Sequence, residues 1–331
     1  MRAYSFLGLF LGLFLSLSLS YFVSLVFYPV QAQIISQAKT LNITTSIQPL
    51  GLILTELTAQ TAAKIQVLIP PNQSSHDFQL KPKAVFALTQ ADLIIWVGPQ
   101  LENFLNKPIQ GLQDSRQQPS KILSLLSEPS IQKQLLSFRT GAEWQDVHHH
   151  HNNHNHDHDH DHDPHIWLSP QLTLEIAKLI AKKLIALNPA QAALYFKNFQ
   201  AFTKQLIHID KLYREAFNKP TQRYLVLHDS YQYIEKQYGL SMVGVLSIHA
   251  DRPPSIKTLR EAQKKITAHH VTCLLSEPPL PASLSKVLLE GQVEPKAKFV
   301  QLSPLADKFS LIPGHYEQWQ YELINNIKNC R

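Results

Sequence analysis

The side chains with most chemistry to offer in this sequence are histidines. Ten of the 17 fall between positions 148 and 165: His148, His149, His150, His151 and His154, then the alternation His156-Asp157-His158-Asp159-His160-Asp161-His162-Asp163, closing on Pro164-His165. Neutral imidazole alternating with carboxylate is a donor set suited to borderline divalent transition metals. No apolar residue occurs from His148 to Pro164. Such a stretch cannot bury enough surface to offset the entropy of ordering, so a flexible loop over 141–164 is expected. A merely solvated loop would explain the missing apolar residues but not the choice of histidine. His165 stands apart from its neighbours, because Pro164 restricts the backbone before it and Ile166-Trp167-Leu168 supplies an anchor after it.

The elements around these residues alternate strand and helix. A β-branched run over 41–47 leads to an amphipathic helix over 49–63 and an apolar strand over 65–69. Pro70-Pro71-Asn72 breaks that strand and opens the polar loop that carries His76, before a helix over 82–90 and a strand over 92–97. Residues 107–147 hold prolines and short helical patches and say little more. Beyond the histidine run, Ser169-Pro170 starts a helix, and Asn188-Pro189 starts another whose apolar stripe continues to Phe217. Some thirty helical residues would measure roughly 45 Å, enough to cross a two-domain molecule as a strut. The alternation then resumes with strands over 224–228, 241–246, 271–276 and 298–302 and helices near 230, 255–268 and 313–327. His228 ends one of these strands and Glu277 follows another, as His76 follows the strand over 65–69. In open α/β sheets, ligands bind just outside the carboxyl ends of strands. His315 begins the last helix, and a surface histidine is the simpler reading of it.

The expected fold is therefore α/β, with two similar lobes and a metal site in the cleft between them; the long apolar stripe reads as core packing, with the added reading of a long rigid helix that joins the lobes. The expected divisions are a signal peptide over 1–32, a first lobe over 33–187, the linking helix over 188–218 and a second lobe over 219–331. A chain of 331 residues with 44% apolar content can fill two cores. The formal charge of +6 is spread along the chain without an aromatic-interleaved basic cluster, so nucleic acid is a poor candidate partner. Arg2 precedes an uncharged apolar segment from Phe6 to Tyr28, and Val30-Gln31-Ala32 offers a small-residue cleavage pattern, which together read as export. An uncleaved membrane anchor is the alternative, since the segment is long enough to span a bilayer. In an oxidising compartment the even pair Cys273 and Cys330 is best read as one disulfide, against two unrelated buried thiols.

Enzyme motifs are sparse: there is no G-x-S-x-G elbow, no phosphate-cradling glycine loop and no H-E-x-x-H. A secreted zinc hydrolase is the serious alternative, with three histidines holding zinc and Glu277 as the one carboxylate to nominate for its base. A plain zinc buffer working through the loop is another.

Three groups of residues together resemble a known family. They are Pro71-Asn72-Gln73-Ser74-Ser75-His76-Asp77-Phe78 with Ala91-Asp92-Leu93-Ile94-Ile95-Trp96-Val97-Gly98; Asp163-Pro164-His165-Ile166-Trp167-Leu168-Ser169-Pro170; and Leu227-His228-Asp229-Ser230 with Tyr238-Gly239-Leu240. In this order they look like the zinc-specific periplasmic solute-binding proteins of bacterial ABC importers, the metal-binding cluster 9 family. The resemblance covers nearly the whole chain after the leader, and a mid-chain His/Asp loop is typical of the zinc branch. It implies His76 and His165 as ligands from the first lobe and His228 from the second. Manganese-binding relatives place an acidic residue where this chain has His228. A carboxylate that some relatives put before the first ligand is here Ser75, which leaves the fourth position to water or Glu277. The resemblance also implies a Cys273–Cys330 bridge and Zn²⁺ as transported ligand. Its expected partners are a membrane permease driven by a separate ATPase, and the protein is expected to act as a monomer without chemistry of its own. His148, His149, His150, His151, His154, His156, His158, His160 and His162 would then form a weaker auxiliary site.

Overall fold

The computed structural model describes residues 39–76, 78–114, 121–139, 162–219, 223–247, 254–277, 282–290 and 297–330. The expected signal segment and the histidine run up to His160 lie outside the described residues. All that follows concerns the unit Ala38–Arg331.

The first sheet is built from β1 (Asn42–Thr45), β2 (Lys64–Val67), β3 (Leu93–Trp96) and β4 (Ile122–Ser124), and its helices are α1 (Gln48–Leu57), α2 (Pro82–Gln90), α3 (Asn106–Asp114) and α4 (Pro129–Gln132). Two long helices follow, α5 (Pro170–Leu187) and α6 (Ala192–Ala216). The second sheet comprises β5 (Arg223–His228), β6 (Ser241–Ser247), β7 (Cys273–Ser276) and β8 (Lys298–Gln301), with α7 (Gln232–Tyr238), α8 (Ile256–Ala268), α9 (Ala282–Leu289) and the closing α10 (His315–Asn329). The sheet orders are β2-β1-β3-β4 and β6-β5-β7-β8, and every pairing is parallel. The two sheets thus repeat one topology.

The inner strands β3, β5 and β7 are apolar on both faces, as parallel strands covered on both sides should be, whereas β2 and β8 at the sheet edges carry exposed polar residues. Alternate residues serve different cores. Leu93 and Ile95 of β3, with Tyr224, Val226, Cys273 and Leu275 of β5 and β7, join one continuous apolar cluster shared by both sheets, α5, α6 and α10. Ile94 and Trp96 face away into a smaller cluster with Ala84, Leu88 and Ile109 of α2 and α3. Leu225 and Leu274 do the same with Ala262, Ile266 and Leu288 of α8 and α9.

Several elements differ in extent from the sequence expectation. The first helix stops at Leu57, because Thr58 and Thr61 turn their hydroxyls onto backbone carbonyls and Gln60 takes φ 62°. The long helix opens with a 3-10 turn at Pro189–Gln191, and α6 then runs 25 residues, about 37 Å. Its Tyr195, Phe202, Leu206, Ile209 and Tyr213 are buried at helical spacing. Cys273, at the start of β7, and Cys330, just beyond α10, are joined with Cα atoms 5.5 Å apart.

Candidate metal centre

Each of the three histidines is delivered by a different kind of element. His228 is the last residue of β5 and is 6% exposed. β7 lies beside β5 with Val226 opposite Leu275, so two residues further on His228 stands abreast of Glu277. Its Nδ1 meets Glu277 Oε1 at 2.5 Å, and Ser230 Oγ lies 3.4 Å from the same oxygen.

His165 precedes the 3-10 turn Ile166–Leu168, whose three side chains are fully buried. Trp167 anchors that turn by donating from Nε1 to the Pro304 carbonyl at 2.7 Å. Asp163 Oδ1 accepts from the His165 backbone N–H at 2.9 Å and meets the ring Nδ1 at 2.7 Å, with Pro164 fixing the turn between them. His76 sits on the loop after β2, half-buried, with its N–H donating to Ser74 Oγ at 3.1 Å.

The three rings converge. Their centroids are 5.0 Å (His165 to His228), 5.4 Å (His76 to His228) and 5.8 Å (His76 to His165) apart, and one nitrogen from each lies within 4.8 Å of the others. Tetrahedral zinc with Zn–N bonds of about 2.0–2.1 Å needs N···N separations of about 3.4 Å, so each ring would move inward by less than about 1 Å. Among the described residues this is the one group of three or more His, Cys, Asp or Glu side chains that could hold a metal ion.

The tautomers follow from the carboxylates. With Nδ1 of His165 facing Asp163 and Nδ1 of His228 facing Glu277, each ring presents its Nε2 lone pair on the other side. His228 Nε2 is buried without a hydrogen-bond partner in the structure. A buried polar atom in that condition costs about 1–3 kcal/mol, which a cation at that point would offset.

The charges are balanced closely. Burial pushes the Asp163 carboxyl up to about 7, against the opposing pull of the His165 N–H, His228 and Arg139. Burial also pushes Glu277 up, but the attraction of His228 and its hydrogen bond outweigh that and leave Glu277 below its ordinary range. Burial lowers His228, and Glu277 more than offsets it, so His228 ends above its ordinary value. Glu277 favours a positive charge at the His228 ring, whether proton or metal.

Of the residues singled out from sequence, His76, His165 and His228 are brought together, and Glu277 stands behind His228. His315, first residue of α10, directs Nδ1 to the Ser310 carbonyl at 2.9 Å and is not in the group. His162 pairs as an isolated bridge with Ser137, and the rest of the run lies outside the described residues. Sequence reasoning missed Asp163, although its place two residues before His165 across a proline was a readable signal. It also missed Arg139, which reaches Asp229 at 3.4 Å and pairs with Glu235, and Tyr233, whose hydroxyl donates to the Asp163 carbonyl at 2.7 Å. Their partners are 70 to 97 residues distant, so no local pattern marks them.

Comparison with known proteins places the chain in a family. Curated relatives named high-affinity zinc uptake system protein ZnuA include one from Yersinia pestis, 30% identical over 297 residues, covering 87% of this chain and 90% of the relative. Another, from Haemophilus ducreyi, is 33% identical over 296 residues, covering 87% and 93%. A crystal structure of ZnuA superposes with a TM-score of 0.68 at 22% identity, covering 88% of this chain and 99% of that one, and shares the fold. The model of the family described as zinc-uptake complex component A, periplasmic, matches residues 43–330. With that match spanning both sheets and all three histidines, the chain belongs to the ZnuA family of periplasmic zinc-uptake components.

Proposed function

We propose that this protein captures zinc in the periplasm with His76, His165 and His228 and delivers it, without chemical change, to an ABC permease whose energy comes from a separate ATPase. The observation that carries the reading is the convergence of three imidazoles from both lobes, two of them backed by carboxylates, Asp163 buried and Glu277 half-buried. Three neutral nitrogen donors suit Zn²⁺ better than the oxygen-preferring Mn²⁺. Glu277 serves as an orienting partner of His228, and a water fills the fourth position. A hydrolase would need a base beside that position, whereas Glu277 Oε1 is engaged with His228 Nδ1. Residues 33–187 and 219–331 act as the two lobes and 188–218 as the strut. The protein works as a monomer, exported by its leader, and the run from His148 to His162 is a weaker auxiliary site.

Calorimetric zinc titration of the exported chain, with and without residues 148–163, tests this. One tight site that survives the deletion and is lost in His228→Ala is expected. Loss of all zinc binding with the run would leave only a buffer, and ester or peptide turnover abolished by Glu277→Ala would mark an enzyme.

A further inference from the structure

After β8 the chain runs from Leu302 to Gly314 before α10, and along this stretch it adds contacts with first-lobe elements to those with its own lobe, such as Trp319 Nε1 to the Ser303 carbonyl at 3.0 Å. The Pro304 carbonyl accepts from Trp167 Nε1 at 2.7 Å, the Phe309 carbonyl from Gln48 Nε2 at 2.5 Å, and the Gly314 N–H donates to Glu56 Oε1 at 2.6 Å. Leu311 lies so close over Gly51 of α1 that a Cβ there would come within 2.8 Å of it. The stretch is a strap from one lobe laid on the other.

One contact of the strap falls on the loop that bears His76. Asp307 Oδ1 accepts from the Asn72 N–H at 2.8 Å, across 235 residues of sequence. Asn72 has φ 60°, a left-handed conformation that asparagine tolerates better than most residues, and lies four positions before His76. The Asp307 carboxylate is itself held: Ser303 Oγ donates to Oδ2 at 2.5 Å, and the Asp307 N–H donates to that hydroxyl at 3.3 Å. The acceptor is therefore oriented before it meets the loop.

We propose that Asp307 is a positioning residue for zinc binding, fixing the loop through the Asn72 N–H and so setting where His76 stands relative to His165 and His228. The proposal rests on the reading of His76 as a ligand. Asp163 and Glu277 hold their histidines by the ring; Asp307, from the opposite lobe, holds the loop of the third through the Asn72 N–H. Groups that orient ligands typically contribute 10- to 100-fold in metal affinity, and one that acts through four residues of loop belongs at the low end, about ten-fold.

Zinc affinity and dissociation rate, measured by competition with a chromophoric chelator, test this in a cycle of Asp307→Ala, His76→Ala and the double variant. Asp307→Ala is expected to weaken zinc about ten-fold, chiefly through faster release, and Asp307→Asn, which keeps an oxygen for the Asn72 N–H, to stay within about three-fold. In the His76→Ala background, Asp307→Ala should cost less than about two-fold, because the ligand it positions is gone. Should Asp307→Ala not fold, Ser303→Ala loosens the same carboxylate and should give a smaller loss in the same direction. An unchanged affinity in the single variant, or an equal loss in both backgrounds, overturns the positioning role. An unchanged affinity in His76→Ala alone overturns the ligand assignment instead.

Discussion

Glu277→Gln removes one negative charge while keeping the side chain's size, and the structure fixes what that should do. The 2.5 Å contact between Glu277 Oε1 and His228 Nδ1 is charge-assisted, and hydrogen bonds to charged groups contribute about 1.5–3 kcal/mol. At about 1.4 kcal/mol per decade this predicts a loss of roughly 10- to 100-fold in zinc affinity when the partner is truncated to alanine. Glutamine still offers an oxygen to the ring, so its loss should sit near ten-fold. A second effect has the opposite sense. Glu277 holds His228 above its ordinary value, so a proton competes with zinc for the ring more strongly than it otherwise would. Without the carboxylate, affinity at neutral pH falls, yet the pH at which zinc is lost on acidification moves down. Isothermal titration of zinc from pH 5 to pH 8 on the wild type, Glu277→Gln and Glu277→Ala reads both. Affinity within two-fold of wild type, or an acid limb that moves up, would refute the orienting role.

Three other outcomes follow from the same structure. Glu102 is fully buried in the connection that follows β3 and accepts from the Val97 and Gly98 N–H groups at 3.2 and 2.9 Å. Burial pushes it from 4.5 up to about 7, so the folded state holds its proton more tightly; that stability is present in full below about 4.5 and is lost as pH rises through about 7. The loss amounts to about 3 kcal/mol, and urea unfolding across pH 5–8 should show Glu102→Gln flattening it, whereas a slope identical to wild type would mean the carboxylate is already ionised. Arg139→Ala leaves Asp229, 3% exposed, without this cation, and should cost about 2–3 kcal/mol in denaturant unfolding, with an unchanged midpoint counting against the ion pair. Trp167→Phe keeps the ring but loses the hydrogen bond to the Pro304 carbonyl, which should cost about 1 kcal/mol and weaken zinc through His165, read by the same unfolding and titration.

What the sequence disclosed is what periodicity and local chemistry can carry. The strands that bear the site residues were legible as short apolar runs, and the two long helices as stripes three and four residues apart. His228 and Glu277 could each be placed at a strand's end, yet their adjacency needed the strand order, because it depends on β5 and β7 being neighbours. β4 has three residues and α9 eight, too few to stand out against their surroundings. Arg139, Tyr233 and Asp307 were invisible for a different reason. A lone polar residue gains its role from a partner 70 to 235 positions away in sequence, and nothing nearby registers that contact.

The histidine run that announces metal contributes one member to the described site, and the reason is mechanical. A site that must hold three rings within 4.8 Å of one another needs each ring fixed against something buried. His165 has Ile166, Trp167 and Leu168, all fully buried, while His228 has the sheet itself. The run from His148 to Pro164 contains no apolar residue, so it has no comparable anchor of its own. The two lobes meet this demand jointly, since the apolar cluster that carries β5 and β7 also contains Trp167, α5 and α6. Packed cores resist continuous deformation, so the distance between His165 and His228 is set by that shared cluster. His76, on a loop outside it, has the least help from packing. The strap that reaches its loop from the other lobe is the complement the site requires, and zinc release is expected to begin at that ring.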